Sequence, residues 1–477
     1  MLFNSFAFLI FLPLFLIGYF ATTGRARLLW MMAGSFFFYG WWNWRYLLLM
    51  VVVILVNYWG ALLIDRSSDP RRRKAWLIAA CVFNLGLLGY FKYFDFFIAS
   101  VQEGLQSLGI HTSDHTLGIL LPIGISFYIF HATAYVVDVY RRDFRAEPDP
   151  VRVMTFVSFF PQLVAGPIVR GTELLPQLRG DRHPSWAAIQ SGLALILVGF
   201  FKKVVVADSC SPVVTNIFNN PDLVSSLNLL LGMYLYAIQI YCDFSGYTDI
   251  GIGVARLLGI ELPQNFNKPY FSSSFSQFWT RWHMTLSRWL RDYLYIPLGG
   301  NRGGPLKTYR NLMITMLLGG LWHGANWTFV VWGFLHGMYL ILQRLLSAPF
   351  AVLTRTLRIP PRLVHLFLVL LVFHLTCFAW IFFRSQTLGD ATTFISRLAS
   401  LNPAEWNPRS VRQIQDVARA VLLGSLLLGV ELVTIWYPLE PIFRRNPWMR
   451  PVAGAVLIIM CLVLGNFVGQ QFIYFQF

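Results

Sequence analysis

Long apolar segments separated by short polar connections run through the whole chain, and this pattern predicts membrane-spanning helices. About 20 apolar residues are needed to cross about 30 Å of hydrocarbon. The candidate segments are residues 5–21, 29–43, 46–64, 76–98, 117–139, 187–206, 227–257, 311–345, 364–383, 417–436 and 452–470. Because several of these are open to being split or re-entrant, the sequence predicts an all-α polytopic membrane protein with about 10–12 transmembrane helices.

Composition supports a membrane protein. The 477 residues are 56% hydrophobic and only 13% charged, which gives more apolar surface than one soluble core buries. No Lys or Arg precedes Arg25, so the first apolar run lacks the basic leader of a cleavable signal peptide and is expected to be a retained span.

The net charge of +16 lies mainly in short connections between apolar segments, which favours the positive-inside rule over nucleic-acid binding. The connection 65–74 is rich in Lys and Arg, whereas the next connection, 101–115, has none. If 65–74 faces the cytoplasm, Arg25 and Arg141 face it too, and the N-terminus faces outward. Beyond residue 150 the topology is open, because the apolar stretch 156–168 is too short to cross.

The five cysteines, at positions 81, 210, 242, 377 and 461, show no CxxC spacing and mostly lie inside apolar runs. This placement is typical of small buried hydrophobic residues. The sequence therefore predicts neither disulfides nor a metal site.

The middle of the chain, 259–310, mixes polar, aromatic and turn residues. Aromatic and apolar side chains recur at helical spacing, at Phe275, Trp279, Trp282, Leu286, Trp289 or Leu290, and Tyr293. Arg281, Arg288 and Arg291 fall off that face. We therefore expect one amphipathic helix at the cytoplasmic membrane interface, capped by Ser274 or Ser276, with His283 one residue beyond the aromatic stripe.

The segment LLGGLWHGANW from Leu317 places polar residues where a span should be apolar. Basic residues flank it on both sides, at Arg302, Lys307 and Arg310 and at Arg344, Arg355 and Arg358, which predicts a hairpin with both ends in the cytoplasm. The first arm, from Asn311 to Trp322, would reach about 18 Å. The turn 323–326 is thus expected inside the membrane beside a buried polar chamber, with Gly319, Gly320 and Gly324 allowing close backbone approach.

His323 is the first candidate for chemistry. Burial favours the neutral imidazole, which acts as a base toward an alcohol near pH 7. No GxSxG motif accompanies it, so direct transfer to the alcohol is favoured over a covalent acyl-enzyme. His131, His336 and His374 also lie in apolar runs and are expected to be hydrogen-bonded structural histidines.

Acidic residues in the run from Tyr241 form a second polar group. Asp243 and Asp249 are six residues apart and therefore lie on opposed helix faces, so they are not expected to be a carboxylate dyad. Pairing with Lys202, Lys203 or Arg256 is favoured over lining a substrate path.

Several motifs together resemble those of the membrane-bound O-acyltransferase (MBOAT) family, and more closely its branch that acetylates bacterial exopolysaccharides such as alginate. The segments that carry the resemblance are LPIGISFYIFHATAYVVDVYR from Leu121, FFPQLVAGPIVR from Phe159, IYCDFSGYTDIGIGVARLLGI from Ile240, LPQNFNKPY from Leu262, FWTRWHMTLSRWLRDYLYIPLGGNR from Phe278, LLGGLWHGANWTFVVWGFLHG from Leu317 and the ending FIYFQF. They run nearly from end to end of the chain.

The resemblance implies an MBOAT-like fold in which transmembrane, re-entrant and interfacial helices surround a central funnel. It implies that 1–477 is a single acyltransferase domain, with N-terminal helices in 1–150, a catalytic core in 151–346 and C-terminal helices in 347–477. His323 matches the family's catalytic histidine and His283 a second active-site histidine. Candidate substrate-binding residues are Trp322, Asn326, Trp282, Arg281, Arg291, Asp243 and Ser245.

The expected function is membrane O-acetyl transfer in the bacterial inner membrane. The resemblance implies that the protein takes an acetyl group from a cytoplasmic donor, with acetyl-CoA as the substrate and no bound cofactor. It implies that a separate periplasmic acetyltransferase partner passes the group to a polysaccharide such as alginate. The alternatives are acylation of cellulose, peptidoglycan or teichoic acid, a polysaccharide or lipid transporter, and a scaffold without enzymatic activity.

Overall fold

The computed structural model describes residues 1–477 except 114, 165, 401–410, 468–471 and 474–477. Its α-helices are α1 (Phe6–Ala21), α2 (Gly24–Gly40), α3 (Trp44–Arg66), α4 (Pro70–Leu88), α5 (Phe94–Ser107), α6 (Ile125–Arg141), α7 (Pro150–Ser158), α8 (Phe160–Leu163), α9 (Gly171–Leu174), α10 (Trp186–Phe200), α11 (Asp208–Asn219), α12 (Ser226–Leu257), α13 (Phe275–Trp279), α14 (Met284–Leu290), α15 (Pro305–His323), α16 (Trp327–Thr356), α17 (Pro361–Arg384), α18 (Leu388–Ala399), α19 (Val411–Trp436), α20 (Leu439–Arg445) and α21 (Met449–Leu464). No strand occurs among the described residues, and the predicted all-α class is confirmed.

Helices long and apolar enough to cross a membrane account for much of the chain. Among the described residues there are six, Trp44–Arg66, Pro70–Ser107, Ser226–Leu257, Trp327–Thr356, Pro361–Arg384 and Gln415–Trp436. The shorter helices α1 and α21 are also apolar. The protein is therefore a multi-pass membrane protein. The predicted segment 117–139 is helical only from Ile125, and residues 468–470 of the last predicted span lie outside the described residues.

Polar residues fix where several helices begin. Asp69 accepts a hydrogen bond from the Arg71 amide at the start of α4, and Asp149 accepts one from the Val151 amide at the start of α7. Each is followed by a proline, whose missing N–H costs nothing in the first turn of a helix. The boundaries of α4 and α7 thus follow from local sequence.

Residues Met1–Ile196 and Ile250–Pro263 form one compact unit. Inside it the side chains of Asn57 and Asn84 exchange hydrogen bonds of 2.8 and 2.9 Å, and Asn84 also donates to Thr133. These buried groups tie α3, α4 and α6 together, because a buried amide needs partners to offset its lost hydration.

Residues Leu197–Asp249 and Gln264–Phe477 form the second unit, which contains every candidate site residue. Trp282, Trp332 and Trp380 are among its largest fully buried side chains. The rings of Trp332 and Trp380 stack 5.6 Å apart, and Trp282 contacts Trp380 at 5.0 Å. Aromatic packing of this kind builds the core around the candidate site.

The predicted single helix around His283 is wrong. The chain forms α13, turns through 280–283 with His283 at a φ of 42°, and continues as α14 and a π-helical turn at Arg291–Tyr295. Ser274 does cap α13, by accepting a hydrogen bond from the Gln277 amide. Most of the aromatic stripe does not face lipid, since Phe275, Trp282 and Leu286 are buried in the protein.

Candidate active site

The predicted hairpin is confirmed and consists of α15 and α16 with a non-helical turn between them. A Cβ on Gly320 would lie 2.2 Å from the Phe329 carbonyl oxygen, and one on Gly333 would lie 2.4 Å from the Met316 carbonyl oxygen. Only glycine permits this approach of the two arms. The first arm starts at Pro305 rather than Asn311 and is 19 residues long, about 28 Å. An arm of this length nearly spans the hydrocarbon, so the expectation of a turn inside the membrane, which rested on an arm of about 18 Å, loses its basis.

Asn326 fixes the turn. Its side chain accepts a hydrogen bond from the Thr328 amide and so caps α16, and it donates to the carbonyl oxygen of Gln386 at 2.8 Å. The turn therefore lies beside the end of α17, which stops at Arg384. Both polar groups of Asn326 have structural partners, so its predicted contact with substrate has no support from this geometry.

His323 is the last residue of α15 and is only 5% exposed. Three aromatic rings surround its imidazole, with ring centres 5.0 Å from Trp322, 5.1 Å from Trp332 and 5.1 Å from Phe383. Such an environment excludes water and restricts the orientation of the imidazole. It suits a base that must stay uncharged before it accepts a proton.

His283 is fully buried and held by Asn265. The Asn265 Oδ1 atom accepts hydrogen bonds from the Thr285 amide at 3.1 Å and the Thr285 hydroxyl at 2.9 Å, and it lies 3.2 Å from His283 Nδ1. Because Oδ1 only accepts, Nδ1 carries the proton and Nε2 keeps its lone pair. Burial lowers the pKa of His283 to about 3, so the ring is neutral.

The ring of Trp322 connects the two candidate histidines. It lies 5.9 Å from the His283 ring and 5.0 Å from the His323 ring, both edge to face. His283 Nε2 is buried and has no hydrogen-bond partner among the described residues. The structure thus brings His283, Trp322 and His323 into one aromatic cluster, as the sequence predicted for the two histidines.

The other candidates on the 281–291 segment lie elsewhere. Trp282 is 1% exposed and packs against Phe266 at 5.1 Å and Trp380 at 5.0 Å. Arg281 donates to a backbone carbonyl, and Arg291 is exposed and pairs with its neighbour Asp292 at 2.7 Å. The contacts of Trp282 give it a role in packing the core. The two arginines lie outside the cluster of His283, Trp322 and His323.

The predicted acid–lysine pairs are confirmed. Asp243 lies 2.6 Å from Lys203, Asp208 lies 2.8 Å from the same ammonium, and Asp249 pairs with Lys202 at 2.8 Å. Arg256 instead pairs with Glu261. Asp243 also accepts a hydrogen bond from the Ile473 amide at 2.7 Å. A carboxylate so engaged has a structural role, and the Ser245 hydroxyl beside it is buried without a partner among the described residues.

The end of the chain packs close to His283. Phe472 lies 6.0 Å from Phe244, and Phe244 lies 4.7 Å from His283, edge to face. Residues 474–477 of the FIYFQF ending lie outside the described residues. The two described residues of this ending, Phe472 and Ile473, contact Phe244 and Asp243 of α12. Phe244 in turn contacts His283.

The expectation of hydrogen-bonded structural histidines is right for two of three residues. His131 Nε2 accepts from the Val169 amide at 3.2 Å, and His374 Nδ1 lies 2.7 Å from the Leu370 carbonyl. His336 differs, because it is 0% exposed and neither ring nitrogen has a partner among the described residues. Its neighbours are aromatic, including Trp332 at 4.8 Å and Trp279 at 5.1 Å.

Sequence reasoning missed Asn265, the residue that orients His283. Asn265 lies 18 residues before His283, and its Oδ1 meets the chain only because 280–283 is a turn. It also missed Phe383 and Trp332, which complete the ring cage of His323. The available signal for Asn265 was its position in the LPQNFNKPY segment, a polar stretch between two aromatic runs.

The described site thus has one buried histidine, His323, at the turn of a glycine-packed hairpin, inside a multi-pass helical protein. Residues 5–385 match the membrane-bound O-acyltransferase family, and the chain belongs to that family. It is accordingly an O-acyltransferase.

Relatives of the chain are named for acyl transfer to several different polymers. The chain is 40% identical to a probable alginate O-acetylase AlgI of Azotobacter vinelandii, over 95% of this chain and 87% of the relative. It is 37% identical to a peptidoglycan O-acetyltransferase of Helicobacter pylori, over 84% and 80%. It is 28% identical to a teichoic acid D-alanyltransferase of Bacillus subtilis, over 61% and 75%.

Proposed function

We propose that the protein is a membrane O-acetyltransferase of the bacterial inner membrane that takes an acetyl group from acetyl-CoA on the cytoplasmic side. It passes the group across the membrane for O-acetylation of an exopolysaccharide such as alginate. The observation that carries the proposal is His323, enclosed by Trp322, Trp332 and Phe383 at the tip of the hairpin. The relatives of about 40% identity that are named alginate O-acetylases support the choice of acceptor.

In the proposed reaction the His323 imidazole removes a proton from the acceptor hydroxyl. The hydroxyl oxygen attacks the thioester carbonyl, the new C–O bond forms and the C–S bond breaks. The proton on His323 then passes to the leaving thiolate, so the imidazole is neutral again at the end of the turnover. The water-poor cage around His323 limits hydrolysis of the thioester.

His283 is proposed as the second active-site histidine. With its proton held on Nδ1 by Asn265, its Nε2 atom keeps a lone pair that can accept a proton or a hydrogen bond. A periplasmic partner protein is proposed to receive the acetyl group and deliver it to the polymer. The chain is expected to interact with the acyl donor, the partner protein and the lipid bilayer. It is not expected to bind nucleic acid.

The test follows label from radiolabelled acetyl-CoA into periplasmic carbohydrate in membranes that contain the native chain, His323→Ala, His283→Ala or the matched control His374→Ala. His374 is exposed and hydrogen-bonded to the backbone of its own helix, so its variant should transfer label normally. We expect His323→Ala to abolish transfer at equal expression and insertion. Undiminished transfer by His323→Ala would remove the catalytic assignment.

Peptidoglycan is the second candidate acceptor, favoured by the relative from Helicobacter pylori. The same experiment separates the two, because digestion of the labelled envelope releases acetyl groups with either exopolysaccharide or muropeptides. If label is found only in muropeptides, peptidoglycan replaces exopolysaccharide as the proposed acceptor.

A further inference from the structure

A polar cavity of about 530 Å³ lies within the second unit, between the C-terminal end of α17 and the helices α11 and α12. All but one of its lining residues carry a polar side chain. Those that matter here are Thr215, Asn216, Asn219, Gln239 and Arg384. The volume is in the range of small-molecule sites, but the lining is far more polar than most such sites. It therefore suits a ligand with many hydroxyl groups.

Arg384 is the charged residue of this cavity. Its Nη2 atom lies 3.4 Å from the Thr215 hydroxyl and its guanidinium lies 5.8 Å from the centre of the Phe218 ring. Within the described part of the chain it has no carboxylate partner. A half-buried cation that lines a cavity together with side-chain amides and hydroxyls calls for a ligand with an anionic group and hydroxyl groups.

The cavity and the candidate active site are connected through the end of α17. Arg384 directly follows Phe383, whose ring lies 5.1 Å from the His323 ring. The turn that holds His323 is tied to the same region by the hydrogen bond from Asn326 to Gln386. A ligand bound to Arg384 would therefore contact the residue next to Phe383, which packs on His323.

The predicted topology puts the cavity on the far side of the membrane from the donor. Arg358 and Arg362 place the start of α17 in the cytoplasm by the positive-inside rule. The helix has 24 residues and is about 36 Å long, which is enough to cross the hydrocarbon. Arg384, at its other end, then faces the side where a polymer acceptor would be.

We propose that this cavity binds a carboxylate-bearing sugar unit, with the carboxylate on Arg384 and the sugar hydroxyls on Thr215, Asn219 and Gln239. A guanidinium matches a carboxylate through paired hydrogen bonds, and side-chain amides match hydroxyl groups. The inference rests on the proposed function only for the identity of the ligand as the polymer that finally receives the acetyl group from the partner protein. It specifies an acidic polysaccharide rather than a neutral one.

The experiment measures binding without turnover. The chain, as native protein and as His323→Ala, is purified into nanodiscs of zwitterionic lipid and titrated by calorimetry with a uronate trisaccharide or a neutral glucose trisaccharide. We expect the uronate to bind at least about tenfold more tightly than the neutral sugar, because a hydrogen bond to a charged group is the stronger kind. The preference should be the same in His323→Ala, so loss of acyl transfer does not affect the result.

Three variants locate the site. Arg384→Gln should weaken uronate binding about tenfold and remove the preference over the neutral sugar. Arg362→Gln, at the exposed opposite end of the same helix, should bind like the native chain. The double variant of Asn216→Ala and Asn219→Ala changes exposed lining residues only, so it tests the cavity even if Arg384→Gln fails to fold.

Equal uronate affinity in the native chain and Arg384→Gln would overturn the proposal, as would equal affinity for the two sugars. A third outcome also contradicts it, namely loss of uronate binding when anionic phosphatidylglycerol replaces the zwitterionic lipid at constant ionic strength. In that case a lipid headgroup is the ligand of Arg384. If the uronate binds as expected while membranes transfer no acetyl group, the cavity stands and the proposed function fails.

Discussion

Trp322 meets the His283 ring edge to face at 5.9 Å and directly precedes His323 in the chain. The two candidate histidines come from different helices, so this indole is the shared surface that sets their relative position. A change at Trp322 should therefore affect both.

Trp322→Ala should lower acetyl transfer more than it lowers folded yield. Loss of the ring removes one packing contact from each imidazole and lets its position shift. A misplacement of about 1 Å in an active site can cost about 100-fold in rate. Trp322→Phe keeps one ring and should retain more activity than Trp322→Ala. Initial rates of label transfer, normalised to correctly inserted protein, check this. Equal rates for Trp322→Ala and the native chain would show that the indole does not position either histidine.

Asn265→Ala should destabilise the turn that holds His283. The substitution leaves the Thr285 amide and hydroxyl and His283 Nδ1 without their acceptor, at a cost of about 1–3 kcal/mol for each buried group left unsatisfied. Asn265→Asp keeps an acceptor oxygen and should be more stable than Asn265→Ala. Thermal unfolding in detergent measures the difference. If the two variants unfold at the same temperature, the Oδ1 contacts contribute little.

The stability of the protein should fall with acidification partly through His283. Burial lowers the pKa of His283 in the folded state to about 3, against about 6.5 in an unfolded chain. The unfolded state therefore binds the proton more readily. This residue's contribution is fully present above pH 6.5 and is lost progressively as pH falls toward 3.

At pH 5 this amounts to about 2 kcal/mol, since each pH unit below 6.5 costs about 1.4 kcal/mol. His283→Gln lacks the effect. The measurement compares unfolding temperatures at pH 7.5 and pH 5.0, and the native chain should lose more than the variant. Parallel losses in the two chains would contradict a neutral buried His283.

Lys203→Met should strongly destabilise the protein. Lys203 is 1% exposed and lies between the carboxylates of Asp208 and Asp243, which would be left buried without a cation. Breaking such a pair costs about 3–5 kcal/mol. Adding Asp208→Asn and Asp243→Asn to Lys203→Met should restore part of the loss.

The control is Arg450→Ala, which removes an exposed pair with Glu440 and should cost less than about 1 kcal/mol. Urea unfolding of the purified variants gives both values. If Lys203→Met and Arg450→Ala cost the same, the buried cluster does not stabilise the fold.

His336→Phe should be as stable as the native chain or more stable. The native imidazole has two buried nitrogens without partners among the described residues, and a phenyl ring removes that desolvation cost of about 1–3 kcal/mol while filling the same space. His336→Ala instead leaves a hole among aromatic rings and should be destabilised by about 2–5 kcal/mol. Their unfolding temperatures should bracket that of the native chain. A large loss for His336→Phe would mean that the nitrogens are satisfied by water.

The hairpin was predictable from sequence because its signals are local. The glycines permit its close packing and the polar turn interrupts an apolar run, so α15 and α16 form the predicted hairpin, although its first arm begins at Pro305 rather than Asn311. The pairing of Asp243 and Asp249 with nearby cations followed from the rule that a buried charge needs an opposite one, although the sequence left open which cation each would take.

The environment of His283 was not predictable, because its causes are distant in the chain. The helical spacing of the aromatic residues favoured one continuous helix, but Asn265 binds the backbone and side chain of Thr285 and holds His283 in a left-handed conformation. Periodicity does not detect a turn stabilised from 18 residues away. The cavity at Arg384 was missed for the same reason, since three separate helices line it.

The glycine contacts of the hairpin limit how the protein can move. With Gly320 against the Phe329 carbonyl and Gly333 against the Met316 carbonyl, the two arms pack backbone to backbone, and sliding one arm along the other would bring a side chain against a carbonyl oxygen. A rearrangement of the kind that the proposed function requires should therefore move both arms together. The hinges for such a motion therefore lie outside residues 316–333, and His323 travels with its turn rather than within it.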